Sequence, residues 1–206
     1  MTAAEPPASV TPPNDPIVHF QSLLAQARAI DRALLPEPTA MTVASIGEDG
    51  HPSVRVVLLK AVDARGFVFY TNLESRKGQE LLARPWAALC FHWQPLERQV
   101  RVEGSVTRVA DAEADAYFAS RGRASQIGAW ASRQSAPLAN DAELTARVRD
   151  AEARFAGVTV PRPPHWSGLR IAPARIEFWR NRPSRLHERL VYERAGDAWT
   201  VRHLYP

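Results

Sequence analysis

The stretch from residue 98 to residue 109 alternates between apolar and polar side chains, and this alternation constrains the fold more than any other feature. Val100, Val102 and Val106 are separated by charged residues such as Arg101. A period of two places successive side chains on opposite faces of a strand. The pattern therefore predicts an antiparallel strand with one buried face and one polar face.

Further short β-prone segments lie on both sides of this strand and are separated by turn-forming residues. We predict strands near residues 41–46, 54–59, 67–71, 86–92, 169–179, 188–194 and 198–204, with turns at 47–50, 63–66 and 195–197. The 54–59 strand is nearly all aliphatic, so we expect it to be well buried.

Helical spacing of apolar residues predicts a first helix that begins at Asp15 and Pro16. Further helices are predicted at 75–83, 111–120, within 124–133 and at 140–155, with Asp111 and Asn140 as N-caps. Residues 1–14, rich in Pro, Ala and Thr, are expected to form a disordered tail. Residues 15–206 then form one α+β domain, an antiparallel β-barrel with peripheral helices.

The composition is that of an ordinary globular protein, with 45% hydrophobic and 23% charged residues. No apolar run reaches the roughly 20 residues needed to span a bilayer, and the start lacks the pattern of a signal peptide. Cys90 is the single cysteine and is expected to be a buried structural thiol. By elimination these features predict a cytoplasmic protein with no membrane partner.

The net charge of +4 does not by itself indicate a nucleic-acid partner. The arginines are interleaved with acidic residues, and most of the six tryptophans lie in apolar runs that we interpret as core. A basic nucleic-acid-binding barrel would need a basic face with exposed aromatic residues. The sequence also contains no Gly-rich phosphate loop, no nucleophile elbow and no closely paired histidines, so we expect no metal site.

Cations beside strand ends are the first candidates for chemistry. Arg55 and Lys60 bracket one strand, and their separation places them on opposite faces. Arg76 and Lys77 open a predicted helix just after the strand that ends at Thr71. A helix N-terminus with two cations is suited to a phosphate group. From this segment alone, a solvated helix start is an equally good interpretation.

Two further groups of polar residues stand out. Tyr117 and Arg121 are four residues apart and share a helix face. Arg185, His187 and Arg189 recur at every second position and would share one face if their strand begins that early. Mutually repelling cations on one face favour an anion or an electron-rich ring as ligand, although an ordinary surface histidine is the simpler interpretation of His187.

At these residues the sequence closely resembles the pyridoxine/pyridoxamine 5′-phosphate oxidase family. The similarity runs in the family's order from about Asp15 to the C-terminus. The matching segments are 55–60 (RVVLLK), 69–73 (FYTNL), 75–77 (SRK), 96–100 (LERQV), 125–130 (SQIGAW), 133–135 (RQS), 176–179 (IEFW) and 185–189 (RLHER).

The resemblance implies a split β-barrel that binds FMN at the interface of a homodimer. The residues implied around the FMN phosphate are Arg55, Arg76, Lys77, Gln134 and Ser135. Those implied to contact the rest of the cofactor are Val56, Val57, Leu58, Leu59, Lys60, Tyr70, Thr71, Gln99, Trp179 and Arg189. Those implied to grip the phosphate of the substrate are Lys60, Tyr117, Arg121 and Ser125. Arg185 and His187 are implied to bind the substrate ring near its reacting carbon, as the catalytic residues.

The reaction implied by the resemblance is oxidation of pyridoxine or pyridoxamine 5′-phosphate to pyridoxal 5′-phosphate. Hydride passes from C4′ of the substrate to N5 of the flavin, and dioxygen reoxidises the flavin and yields hydrogen peroxide. In many family members an N-terminal segment with Arg and Tyr closes over the substrate, whereas residues 1–14 here contain no Arg, Lys or Tyr. A phenazine-type flavin oxidase of a non-phosphorylated ring therefore stays open as an alternative. A second alternative is a non-catalytic FMN-binding protein, which would need the FMN residues but not Arg185 or His187.

Overall fold

The computed structural model of the chain describes residues 14–206, so the predicted disordered tail lies outside the described residues apart from Asn14. This part contains nine strands: β1 (Ala40–Ile46), β2 (Pro52–Leu58), β3 (Ala61–Asp63), β4 (Gly66–Asn72), β5 (Trp86–Trp93), β6 (Arg98–Arg108), β7 (Trp166–Arg180), β8 (Glu188–Ala195) and β9 (Ala198–Leu204). It also contains five α-helices: α1 (Pro16–Ala29), α2 (Arg76–Ala83), α3 (Asp111–Ala119), α4 (Arg123–Ala131) and α5 (Asp141–Arg154).

The strands form one antiparallel sheet in the order β2-β1-β5-β6-β7-β4-β3, and a second branch continues from β7 to β8 and β9. The sheet forks because β7 pairs with β4 along its first half and with β8 along its second half. The β6–β7 register shifts between Glu103 and Gly104, opposite this fork. A Cβ on Gly104 would lie 2.0 Å from the Ala172 carbonyl oxygen, so only glycine allows this close approach.

Two groups of buried side chains hold the layers together. The larger fills the curled sheet beneath α1 and includes Phe20, Phe67, Phe91 and Trp93. The smaller lies under α3, α4 and α5 and is centred on Trp166, whose ring packs edge-on against Phe118 with centroids 5.2 Å apart. The helical insert, which consists of α3, α4 and α5, thus packs on an apolar cluster of its own at the start of β7.

Most of the predicted elements are confirmed within a few residues. Asp15 caps α1 by accepting a hydrogen bond from the Ile17 amide at 2.7 Å, and the Asn140 side chain caps α5. The prediction for Asp111 is wrong: Ala110 occupies the N-cap position, and the Asp111 carboxylate instead binds Arg108 and Arg162.

The expectation of a well-buried 54–59 strand is also wrong. β2 pairs only with β1 and forms an edge of the sheet, so Val54 and Val56 are 66% and 67% exposed in the single chain. Cys90 is only half-buried, because its side chain lies on the face of β5 that is not in the core. Among residues 14–206, none of the helices has both the length and the apolar character needed to cross a bilayer.

Candidate functional site

A cavity of about 660 Å³ opens between the end of β2, β4, α2 and the helical insert. It gathers residues from segments far apart in the sequence. The predicted site residues in its wall are Val56, Val57, Leu58, Lys60, Tyr70, Thr71, Lys77, Tyr117, Arg121, Ser125 and Gln134. The further wall residues are Asn72, Gly122, Gly128, Ala129, Ser132 and Trp166. Both groups of polar residues, from β4–α2 and from α3–α4, therefore share one cavity.

A stack of three aromatic rings forms one side of the cavity. The rings of Tyr70 and Tyr117 lie 3.9 Å apart at 12°, and the Trp166 ring lies 5.2 Å from Tyr70 at 10°. Offset stacking of this kind contributes about 0.5–1.5 kcal/mol per pair beyond burial. The stack joins the insert to the barrel and fixes the position of Tyr117.

Arg121 carries an unsatisfied charge into the same cavity. Its guanidinium carbon lies 4.8 Å from the centroid of the Trp166 ring, a cation–π arrangement. One of its terminal nitrogens is buried and has no hydrogen-bond partner among residues 14–206. Burial lowers the pKa of Arg121, and nearby Tyr117 opposes this effect. A buried donor without an acceptor is costly, so the site suits an anionic ligand.

Lys77 is a further cation in the wall of the cavity. Its Nζ donates to Gln134 Oε1 at 3.0 Å and to the hydroxyls of Thr71 and Ser75 at 3.3 Å. Burial, assisted by the charge of Arg55, lowers the pKa of Lys77. All three acceptors are neutral oxygens, so a phosphate would supply the counter-charge that they lack.

Behind this wall, the buried Glu80 carboxylate holds two of the predicted cofactor residues. Arg55 Nη2 donates to Glu80 Oε2 at 3.0 Å, and Arg76 Nε donates to Glu80 Oε1 at 2.8 Å. Ser45 and Ser53 also donate to this carboxylate. Burial raises the pKa of Glu80, but these hydrogen bonds and the charge of Arg55 outweigh it and bring the pKa to about 2.

Arg55 is therefore engaged inside the protein and does not line the cavity. Leu59 is likewise 3% exposed and belongs to the core. Arg76 is mostly exposed, and Ser135 follows Gln134 with a positive φ of 74°. Non-glycine residues in this conformation are strained, and such strain is concentrated at functional sites.

A second group of predicted residues lies on the other branch of the sheet and outside the cavity. Gln99, Trp179 and Arg189 are direct neighbours across β6, β7 and β8. The His187 ring lies 4.7 Å from the Trp179 ring, and its Nδ1 accepts the Arg182 amide at 3.3 Å.

The prediction that Arg185, His187 and Arg189 share a strand face is wrong. β8 begins at Glu188, and Arg185 lies in a short turn with a φ of 62°. The turn Pro183–Arg185, in which both Ser184 and Arg185 have positive φ, sets the direction of the Arg185 side chain, so strand periodicity does not apply to it.

Three residues that contact the predicted site residues were not singled out from the sequence: Trp166, Glu80 and Glu177. Trp166 comes two residues after the proline-rich break that ends at Pro164, and its apolar character resembles that of any core residue. Glu80 is one polar residue of an amphipathic helix. Glu177 carried a detectable signal, because a carboxylate between Ile176 and Phe178 interrupts an apolar strand.

Comparisons with known proteins all indicate the same protein family. Residues 30–180 match the family described as pyridoxamine 5′-phosphate oxidase, and residues 166–206 match the pyridoxine 5′-phosphate oxidase C-terminal dimerisation region. The pyridoxine/pyridoxamine 5′-phosphate oxidase of Myxococcus xanthus (strain DK1622) is 61% identical over 94% of this chain and 93% of its own. The protein of that name from Anaeromyxobacter dehalogenans is 58% identical over 97% and 98% of the two chains.

Solved structures show the same fold. PhzG from Burkholderia lata, in complex with tetrahydrophenazine-1-carboxylic acid, superposes with a TM-score of 0.86 at 34% identity and covers 95% of this chain and 94% of its own. A pyridoxamine 5′-phosphate oxidase-related, FMN-binding protein from Nostoc punctiforme superposes with a TM-score of 0.71 at 16% identity, over 92% and 96% of the chains. The predicted antiparallel split barrel with peripheral helices is confirmed.

Proposed function

The chain belongs to the pyridoxine/pyridoxamine 5′-phosphate oxidase family, and from that premise we propose that it oxidises pyridoxine or pyridoxamine 5′-phosphate to pyridoxal 5′-phosphate. It is an FMN-dependent oxidoreductase, with dioxygen as acceptor and hydrogen peroxide as product. The observation that carries the assignment is the single cavity that Lys60, Tyr117, Arg121 and Ser125 line together with Tyr70 and Lys77.

The proposed grip on the substrate phosphate consists of Lys60, Arg121, Ser125 and the Tyr117 hydroxyl. Support comes from the donor set, which combines two cations with two hydroxyls in one wall. The unpartnered Arg121 nitrogen is a donor that the phosphate would satisfy. A hydrogen bond to a charged group contributes about 1.5–3 kcal/mol, so this grip would dominate substrate affinity.

The FMN phosphate is proposed to bind Lys77, Arg76, Gln134 and Ser135. The Lys77 ammonium, whose hydrogen-bond acceptors are all neutral oxygens, fits such an anion. Arg55 is proposed to act on the same region from behind, through the Glu80 cluster that it shares with Arg76. Tyr70, Thr71 and the apolar residues 56–59 complete the proposed cofactor side.

We propose that FMN binds at the interface of a homodimer. The family region matched by residues 166–206 is described as a dimerisation region. Gln99, Trp179, Arg185, His187 and Arg189 lie outside the cavity of their own chain, so a second subunit would have to bring its copy of this group to that cavity. The exposed Val54 and Val56 on the edge strand β2 provide apolar surface for such a contact.

FMN, when bound, would supply the redox chemistry, as hydride acceptor from the substrate and electron donor to dioxygen. The protein's part is to bind and orient. Lys60 and Arg121 fix the phosphate end, and Arg185 and His187 are proposed to hold the ring so that its C4′ carbon faces the flavin. We also propose a cytoplasmic location, consistent with one cysteine per chain.

Steady-state oxidation of pyridoxine 5′-phosphate and of free pyridoxine tests the assignment against a phenazine-type activity. We expect a large preference for the ester, because free pyridoxine leaves the cations of the cavity unpaired. Equal kcat/KM values for the two compounds would show that the cavity does not recognise the phosphate of the substrate. Peroxide release on addition of pyridoxamine 5′-phosphate excludes a non-catalytic FMN-binding protein.

A further inference from the structure

A buried carboxylate, Glu177, organises the second group of site residues. It lies near the C-terminal end of β7 and is 1% exposed, two residues before Trp179 on the same face. Glu177 faces Arg101 on β6 and Val191 on β8, while Trp179 faces Gln99 and Arg189. The carboxylate is therefore next to every strand residue of this group.

Three arginines converge on this one carboxylate. Arg189 donates through Nε to Oε1 at 2.9 Å and through Nη2 to Oε2 at 3.2 Å, a two-point contact that fixes the plane of its guanidinium. Arg175 Nη2 donates to Oε2 at 2.8 Å, and Arg101 donates to the same oxygen. Burial raises the pKa of Glu177, but these bonds prevail and bring it to about 2, so the carboxylate is ionised at neutral pH.

The three arginines do not depend on Glu177 equally. Arg175 has two further carboxylates, Glu103 at 2.8 Å and Glu193 at 3.7 Å. For Arg101 and Arg189, Glu177 is the acidic partner within residues 14–206. Removal of the Glu177 charge would therefore leave Arg101 and Arg189 without this acidic partner, while Arg175 would stay paired. Arg189 would keep the bond from its Nη1 to the Tyr205 carbonyl oxygen at 3.1 Å, but not the two-point contact that fixes its plane.

We propose that Glu177 is a positioning residue for the cofactor, which fixes the guanidinium of Arg189 beside Trp179 and offsets part of the positive charge of Arg189 and Arg101. The inference rests on the proposed function, in which Arg189 contacts the flavin. Without its two-point partner, the Arg189 side chain would rotate more freely in the apoprotein. It would lose that freedom on binding the cofactor, and this loss of entropy would weaken binding. Its unbalanced charge would also favour the reduced, more negative flavin.

A double-mutant cycle tests this assignment on the apoprotein, with FMN affinity measured by quenching of flavin fluorescence. Glu177→Gln and Arg189→Gln are each expected to weaken FMN binding by about tenfold. The double variant should bind FMN within about twofold of Arg189→Gln alone, because Glu177 acts through Arg189. Arg175→Gln is the matched control: it breaks an ion pair with the same carboxylate but should keep wild-type affinity.

The flavin midpoint potential is a second readout, which a purely structural role would not move in a fixed direction. At saturating FMN, Glu177→Gln should raise the potential, because it removes a negative charge near the cofactor. An unchanged or lowered potential contradicts the proposal. Should Glu177→Gln fail to fold, Glu177→Asp takes its place in the cycle, since it withdraws the carboxylate by one methylene; wild-type FMN affinity in that variant contradicts the proposal.

The outcomes separate this inference from the proposed function. Glu177 is not a positioning residue if Arg189→Gln weakens FMN binding and Glu177→Gln does not. The same holds if the two effects on FMN affinity multiply in the double variant. In both cases the proposed function stands. If Arg189→Gln keeps wild-type affinity, both the inference and the role of Arg189 in the proposed function are wrong.

Discussion

Tyr70 on β4 and Tyr117 on α3 lie face to face, with ring centroids 3.9 Å apart and planes 12° from parallel. Through this contact the barrel and the helical insert meet inside the cavity. Trp166 continues the stack and also supports the Arg121 guanidinium. The proposed substrate-phosphate residues of the insert are thereby held opposite the proposed cofactor residues of the barrel.

Arg121→Met should weaken the grip on the substrate phosphate. We expect kcat/KM for pyridoxine 5′-phosphate to fall by about 10–100-fold, mainly through KM, because a charge-assisted contact of about 1.5–3 kcal/mol is lost. FMN affinity should stay unchanged. Arg154→Met is the control, since Arg154 also covers an aromatic ring, that of Trp130, but lies outside the cavity. A wild-type KM in Arg121→Met would exclude the assigned contact.

Lys77→Ala should weaken FMN binding, and its deficit relative to the wild type should shrink as ionic strength rises, because salt screens the charge interaction that the variant lacks. Equilibrium titration of the apoprotein with FMN at low and high salt measures both effects. Arg84→Ala removes a positive charge just after the same helix without touching the cavity and should bind FMN normally. Equal FMN affinity of Lys77→Ala and Arg84→Ala would show that Lys77 does not hold the phosphate.

Arg185→Ala should lower turnover while FMN stays bound, because the side chain is proposed to contact the substrate and not the cofactor phosphate. Single-turnover reduction of the bound flavin separates this effect from cofactor loss, and the flavin-to-protein ratio provides the control. Loss of FMN on purification of this variant would place Arg185 on the cofactor instead.

Glu80→Gln should change how acid destabilises the protein. The folded pKa of Glu80, about 2, lies below the ordinary value of 4.5, so the ionised carboxylate stabilises the fold above pH 4.5. This stabilisation is lost as the pH falls from 4.5 through 2. Thermal unfolding across this range should show a smaller pH dependence in Glu80→Gln than in the wild type. Parallel curves for the two proteins would contradict the assigned ion pairs.

Local pattern was sufficient to predict most strands and helices, since alternation and capping are properties of neighbouring residues. Asp15 and Asn140 cap their helices as expected. The position of β2 was not predictable in this way, because a strand with an aliphatic sequence can be buried by its own sheet or by a second subunit. Val54 and Val56 have the composition of core residues and the exposure of an edge.

The candidate site shows the same contrast between features that local sequence predicts and features that depend on tertiary structure. The resemblance supplied the residue types, and cavity geometry joined Lys60 to Tyr117 and Arg121, a connection that no spacing rule predicts. The roles of Glu80 and Glu177 could not be predicted, because each depends on arginines contributed by several separate elements. The interrupted apolar pattern at Glu177 marks an unusual carboxylate, but the arginines that bind it are known only from the tertiary contacts.

The most direct test of the central claim is the visible spectrum of the purified, FMN-loaded protein during anaerobic titration with pyridoxine 5′-phosphate. We predict a flavin spectrum that bleaches on addition of the ester, recovers on admission of air with release of hydrogen peroxide, and yields pyridoxal 5′-phosphate. A stable, unbleached flavin in the presence of both pyridoxine and pyridoxamine 5′-phosphate would contradict the account.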